Sequence, residues 1–263
     1  MDARSGRVAW VAIAPVKAMA LVQLQAARLE ATGIAGDRAF AVIDADLRLV
    51  NGKRIGALAS IRPDYRPDTG ELALRFPDGH VAADVVELGE PVEAIFFGRP
   101  RPVRVVRGPW SEGLSDWAAR ELRLVAMTGD GAGIDRGPSV SLLSAAGLGV
   151  LAAEGGADRP LDGRRFRMNV GIEGTEPFAE DGWLARDVRV GDAVVRPVDH
   201  VGRCAVTTQD PDTGVPDFHT LQVLQRLRGH ISSPDEDLPC GVWAEVVQAG
   251  DVRLGDPVGR VEG

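Results

Sequence analysis

Residues 202–214 read GRCAVTTQDPDTG, and the rest of the chain is read outward from them. The stretch joins Cys204, one of two cysteines, to Arg203, to a strand-like Ala-Val-Thr-Thr run and to a turn of alternating carboxylates. In residues 210–214, DPDTG, the proline presets φ, both aspartates can accept from nearby amides, and the glycine is free to take positive φ. Cys204 is therefore expected at the start of a strand that runs into a tight polar turn. A thiol beside the Arg203 cation should have its thiolate favoured, and thiolates are nucleophiles and soft-metal ligands. The alternative is a small buried hydrophobe, the commoner fate of a free cysteine, because a neighbour in sequence need not be one in space.

Other candidates lie upstream. Residues 164–169, RRFRMN, read as the start of a strand over 164–172, which would put Arg165, Arg167 and Asn169 on one face. Such a face suits a phosphate or a polar heterocycle, since arginine binds phosphate through paired hydrogen bonds; the alternative is a solvated barrel face. Lys17 follows a strand end, and Gly36-Asp37-Arg38 precedes a buried strand; a surface charge and a simple turn are the ordinary readings of these. No His/Cys/Asp spacing matches a zinc site, and His200 stands alone before the motif. Walker, GxGxxG and GxSxG signatures are absent. Cys240, in Leu-Pro-Cys-Gly, reads as inert.

The pattern between these residues is mainly β. Strands are expected over 7–13, 21–30, 39–43, 47–50, 71–76, 81–86, 92–97 and 103–106, at the spacing of a barrel or sandwich. Residues 110–122 change to helical spacing with Ser111 as N-cap, and a strand follows over 122–126. Residues 129–138 form a glycine-rich loop, and 141–154 a helix stopped by Gly155 and Gly156. Strands 164–172, 188–198, 242–248 and 252–254 and a helix over 220–227 complete a chain expected to divide into 1–108 and 109–263. The 263 residues carry 30 basic against 38 acidic side chains, a net charge of −8 that argues against nucleic-acid or anionic-membrane partners. No apolar run reaches the roughly 20 residues of a membrane span, and no secretory signal opens the sequence. Two cysteines make no disulfide framework, so a reducing cytoplasm is expected.

RCAVTTQDPDTG resembles the cysteine motif of the MOSC domain, the molybdenum cofactor sulfurase C-terminal domain family. The closest resemblance is to the branch that includes the mitochondrial amidoxime-reducing component and its bacterial relatives. APVKA (14–18), TGIAGDRAFAVID (32–44), SVSLLSAAGL, RRFRMNVGIEG with PFAEDGW, and the terminal LGDPV follow that branch in order. The resemblance implies an N-terminal β-barrel domain and a MOSC β-barrel domain with a molybdenum cofactor (molybdopterin) in the cleft between them. It makes Cys204 the molybdenum ligand with Arg203 beside it, and Lys17, Arg38, Arg167 and Asn169 the cleft lining. The segment 136–139, ending at Ser139, would be a further cofactor contact. Asp210 and Asp212 would shape the turn at the cleft, with Asp210 a candidate proton relay. Three departures stand out: Ala18 replaces a serine, Met168 replaces a proline, and no ferredoxin-like cysteine cluster follows. An iron–sulfur centre takes about four thiolates, so electrons would come from a separate ferredoxin or flavin-reductase type donor. The implied activity is reduction of N-hydroxylated compounds: amidoximes, hydroxylamines or N-hydroxylated purines. Metal-free persulfide transfer on Cys204 and non-catalytic cofactor binding are the alternatives, and pyridoxal phosphate binding is a further attribute attached to the family.

Overall fold

A computed structural model describes residues 5–128, 139–229 and 238–261. Runs rich in Val, Ile and Leu form its strands, because branched side chains pack well on a half-buried pleated surface. The largest sheet orders Val170–Glu173, Val140–Ser144, Leu238–Gln248, Ala193–Arg203, Val188–Val190, Pro257–Arg260, Gly6–Ile13 and Val22–Leu24. Gly6–Ile13 also pairs with Val170–Glu173, Val11 opposite Val170, so seven of these strands close into a barrel. Closure removes the edges of those seven strands and leaves only the short Val22–Leu24 outside it. Val11, Leu142, Val170, Val195 and Val242, each 0% exposed, fill the interior.

A second body forms from the sheet Glu87–Phe96, Arg99–Arg107, Leu122–Met127, Phe40–Asp44 and Leu49–Val50 and the sheet Arg62–Arg66, Glu71–Arg75, Val81–Val85. The helix Trp110–Ala118 packs there, with Trp110 fully buried and its indole N–H donating to the Leu72 carbonyl at 3.1 Å. Gly250–Arg253, Ala26–Glu30 and Gly33–Ile34 make a further small sheet. The protein is mainly β, as expected, with three α-helices among the described residues. No helix among the described residues is long and apolar enough to cross a membrane.

Several local expectations differ from the structure. Strand pairing runs across residue 108: Gly6–Ile13 belongs to the closed barrel, and Leu122–Met127 pairs with Phe40–Asp44. Long-range pairing decides this, and composition carries no trace of it. The expected helix over 141–154 is a strand, Val140–Ser144, followed by a helix, Ala145–Glu154. All five strand residues are buried, and a short apolar run fits a buried strand as well as a helix. Ser111 is not an N-cap; Pro109 holds that position, and the Ser111 hydroxyl accepts from the Leu124 amide at 3.1 Å. The expected strand over 164–172 begins only at Val170. Before it, the Asp162 carboxylate accepts from the Arg164 amide at 2.9 Å and starts a 3-10 turn, Gly163–Phe166, which Arg167 ends in the left-handed region. The expected loop 129–138 lies outside the described residues.

Candidate functional site

Cys204 stands where the strand Ala193–Arg203 ends, and the next four residues, Ala205–Thr208, form a 3-10 turn rather than a strand. The Thr207 hydroxyl donates to the Cys204 carbonyl at 3.0 Å and the Thr208 hydroxyl to the Ala205 carbonyl at 2.7 Å. Such local side-chain bonds compete with strand pairing, which turns the Ala-Val-Thr-Thr run back on itself. The thiol is thereby placed, half-buried, on the wall of a cleft of about 570 Å3.

Both bodies contribute to this cleft. Lys17, Arg38, Lys53, Phe97, Arg99 and Arg101 come from one side, and Arg165, Arg167, His200, Arg203 and Cys204 from the other. Among the described residues eight cations thus line it and no carboxylate does, although acidic side chains outnumber basic ones in the chain. Lys17 and Lys53 are the only lysines in the sequence, and both are here. Ala18, Arg38, Phe97 and Arg167, half of the described non-glycine residues with positive φ, also line the cleft. Backbone strain of this kind persists where the surroundings impose it and collects at functional sites.

The arginines are positioned by the seam between the bodies. Arg38 pairs with Asp37 and donates to the Arg167 carbonyl at 2.8 Å, while Arg167 donates to the Met19 carbonyl at 2.7 Å. Arg203 is buried. It donates to the Phe166 carbonyl at 2.9 Å and the Cys240 carbonyl at 2.8 Å, contacts the Met168 sulfur at 2.9 Å, and stacks 5.3 Å from the Phe166 ring centroid. Burial pulls Arg203 below the usual arginine value, opposed by the nearby Cys240 and Cys204 thiols. Room for its guanidinium comes from Gly241, at φ +80, where a Cβ would lie 2.6 Å from the Met168 methyl carbon and 2.8 Å from the Leu142 carbonyl. Cys240 is a core thiol, pushed up to about 12 by burial, consistent with an inert role.

The structure brings Lys17, Arg38, Arg167, Arg203 and Cys204 together and leaves three candidates outside the lining. Asn169 is 1% exposed. Its Oδ1 accepts from the Ser141 amide and hydroxyl at 3.1 and 2.9 Å. Its Nδ2 donates to the Ala12 carbonyl at 3.1 Å and to Asp37 at 2.9 Å. Every valence of that amide is spent inside the protein, so Asn169 holds Asp37, which holds Arg38. Ser139 packs its carbonyl near Gly33, and the rest of the 136–139 segment lies outside the described residues. The Asp210 carboxylate accepts from the amides of Asp212 and Thr213 at 3.1 and 2.9 Å and from the Thr213 hydroxyl at 2.9 Å. Partial burial raises it, but these bonds outweigh that and hold it below the usual range. Asp212 pairs with Arg164 at 2.7 and 2.8 Å. Both aspartates build the turn, and neither is among the residues lining the cleft.

Phe97, Arg99 and Arg101 carry no site signal in the sequence, and His200, which stands alone before the motif, joins them in the lining. The His200 Nε2 lies 3.3 Å from Asp181, which Arg228 also pairs at 2.5 Å. Phe97 and Gly98 both take positive φ at the tip of a hairpin, where Asn-Gly would be the ordinary signal.

One thiol does not hold a metal alone, and among the described residues no three His, Cys, Asp or Glu side chains gather to do so. A single accessible thiol amid cations fits a metal that arrives chelated by an anionic organic cofactor. The chain's own contribution is then one soft ligand and the counter-charges.

A family model described as "MOSC N-terminal beta barrel domain" matches residues 5–91, and one described as "MOSC domain" matches residues 134–259. Mitochondrial amidoxime-reducing component 1 of Mus musculus is 32% identical over 54% of this chain and 42% of its own length. Its Xenopus laevis counterpart is 25% identical over 97% of this chain and 82% of its own. The chain thus spans less than half of the mouse relative. Among solved structures, the YUAD protein from Bacillus subtilis is 12% identical over 97% of this chain and 94% of that one, with a TM-score of 0.44. The two matches follow one another along the chain, which belongs to the MOSC-domain family, its N-terminal MOSC segment preceding the MOSC domain.

Proposed function

We propose that this protein is a molybdenum cofactor-dependent reductase of N-hydroxylated compounds. The observation that carries the reading is Cys204 on the wall of a cleft with eight cations and no carboxylate among its lining residues. Bound there, the molybdenum cofactor supplies two-electron oxygen-atom-transfer chemistry. Cys204 is the protein's ligand to the metal. Lys17, Arg38, Arg167 and Arg203 supply positive charge for the cofactor's phosphate and donors for its pterin, with Asn169 and Asp37 holding Arg38 in position. His200 is the imidazole of the lining, its buried Nε2 3.3 Å from Asp181. Reduction of R–NHOH to R–NH2 and water takes two electrons and two protons. The electrons come from a donor protein of ferredoxin or flavin-reductase type.

The relatives named amidoxime-reducing components support the reaction class. Metal-free persulfide transfer on Cys204 would leave the cationic lining without a task. Reduction of an aryl amidoxime by the cofactor-loaded protein and a chemical electron donor tests the proposal. Turnover that falls to background in Cys204→Ala is expected; full activity in that variant would sink it.

A further inference from the structure

The cations of the cleft fall into an inner set around Cys204 and an outer set at its lip. A phosphate monoester carries about −1.5 to −2 at pH 7, which Lys17, Arg38, Arg167 and Arg203 already exceed. Lys53, Arg99 and Arg101 remain, and their exposed side chains make no hydrogen bond or ion pair among the described residues. Exposed cations are ordinarily a solvated surface, but the hairpin register argues otherwise for the two arginines. Arg99 stands opposite Phe96 and Arg101 opposite Ala94, both of them 1% exposed or less. Directly opposed residues share a sheet face, so both arginines continue the inward face of the hairpin, where its core ends and the cleft begins. Like charges gathered there oppose one another, and no lining carboxylate relieves them. Between the two sets, Phe97 at the hairpin tip is 57% exposed and lies 5.2 Å from the Lys17 ammonium. An aromatic ring held out at φ 52, where bulky residues are strained, is a platform for a flat ligand.

We propose that Lys53, Arg99 and Arg101 form an outer subsite for a phosphate ester, and that the substrate is a planar N-hydroxylated heterocycle carrying that ester, its ring against Phe97. The substrate class is then nucleotide-like. This rests on the reductase reading for the chemistry, but not for the binding.

The test uses the cofactor-loaded protein and two readouts. The first is turnover of N-hydroxylated adenine offered as nucleoside and as 5′-monophosphate, in the wild type and in an Arg99→Ser/Arg101→Ser protein. A preference for the monophosphate of at least about tenfold in kcat/KM, roughly one good charge contact, is expected in the wild type and lost in the double variant. The second is amine acetylation mapped by mass spectrometry, a direct probe because Lys17 and Lys53 are the only lysines. Adenosine 5′-monophosphate should shield Lys53 where adenosine does not, and high salt should abolish the shielding. Equal turnover of the two substrates with no shielding overturns the subsite and leaves the reductase reading standing. Shielding without turnover of either keeps the subsite and removes the reductase. A double variant that changes only the KM for an acidic electron-donor protein, with no nucleotide preference in the wild type, also overturns the proposal.

Discussion

Asn169 and Cys204 show what a residue's type does and does not reveal. Both stand in motifs, and the sequence marks both as site residues. Only Cys204 reaches the cleft, because the end of a strand presents it; Asn169 lies beneath, its amide saturated by Ser141, Ala12 and Asp37. Asn169→Leu leaves those buried partners without bonds, at a cost of about 2–4 kcal/mol. A lower melting temperature is expected, with cofactor retained in the molecules that fold. Loss of cofactor at unchanged stability would make Asn169 a direct ligand instead. The expectation that Arg203 simply neighbours the thiol was also incomplete. Its guanidinium is bound by the carbonyls of Phe166 and Cys240, in a space that exists because residue 241 is glycine. A close approach of this kind depends on three distant segments, and no local pattern announces it.

At the scale of elements, most strands of the first hundred residues were legible from alternation, Gly33–Ile34 and Arg62–Arg66 excepted, and the DPDTG turn from its residue types. The 3-10 turns were not. Gly163–Phe166 and Ala205–Thr208 have the branched or alternating look of strands, and short side-chain bonds from Asp162, Thr207 and Thr208 decide against it. These turns position the site, so the sequence misled where it mattered. The DPDTG turn also has a second task invisible in the sequence. Gly214, at φ +72, packs its backbone on the 3-10 segment Gly56–Ser60, so close that a Cβ would lie 1.9 Å from the Gly56 carbonyl oxygen. Beside it the Gln209 amide donates to the Gly52 carbonyl at 2.9 Å. The turn is therefore a clamp between the two bodies. Gly214→Ala combines strain with a clash against backbone and should cost at least about 1–3 kcal/mol, read as a lower denaturant midpoint. A variant as stable as the wild type would show that the seam is not packed as described.

Over the whole molecule, the uneven placement of charge is the main design feature. In a chain of net charge −8, one cleft is lined among the described residues by cations without a carboxylate and takes both of the lysines. Net charge averages over the whole chain and leaves room for a local basic pocket, which the cleft supplies. Stability carries a second signature. Burial pushes Glu180, 0% exposed and near Asp181 and Arg228, up to about 7 from its ordinary 4.5. The native state then keeps a proton that the unfolded chain releases. The stability this represents is complete below about pH 4.5 and is lost as pH rises through about 7. Asp44, Asp210 and Asp212 are held low and act the opposite way, their contribution present above the ordinary carboxylate value of 3.8 and lost as pH falls below it. Melting temperature should therefore decline toward about pH 8, and Glu180→Gln should recover on the order of 2–3 kcal/mol there. A variant with the same pH profile as the wild type would contradict this assignment.

The central claim is that Cys204 and its surrounding cations hold a molybdenum cofactor. Metal and pterin analysis of the protein purified from a molybdenum-replete host, beside Cys204→Ala, tests it most directly. Near-stoichiometric molybdenum and molybdopterin in the wild type, with the metal lost from the variant, is the predicted result. A wild-type protein free of metal and pterin with a persulfide on Cys204, or a variant that keeps its full molybdenum, would contradict it.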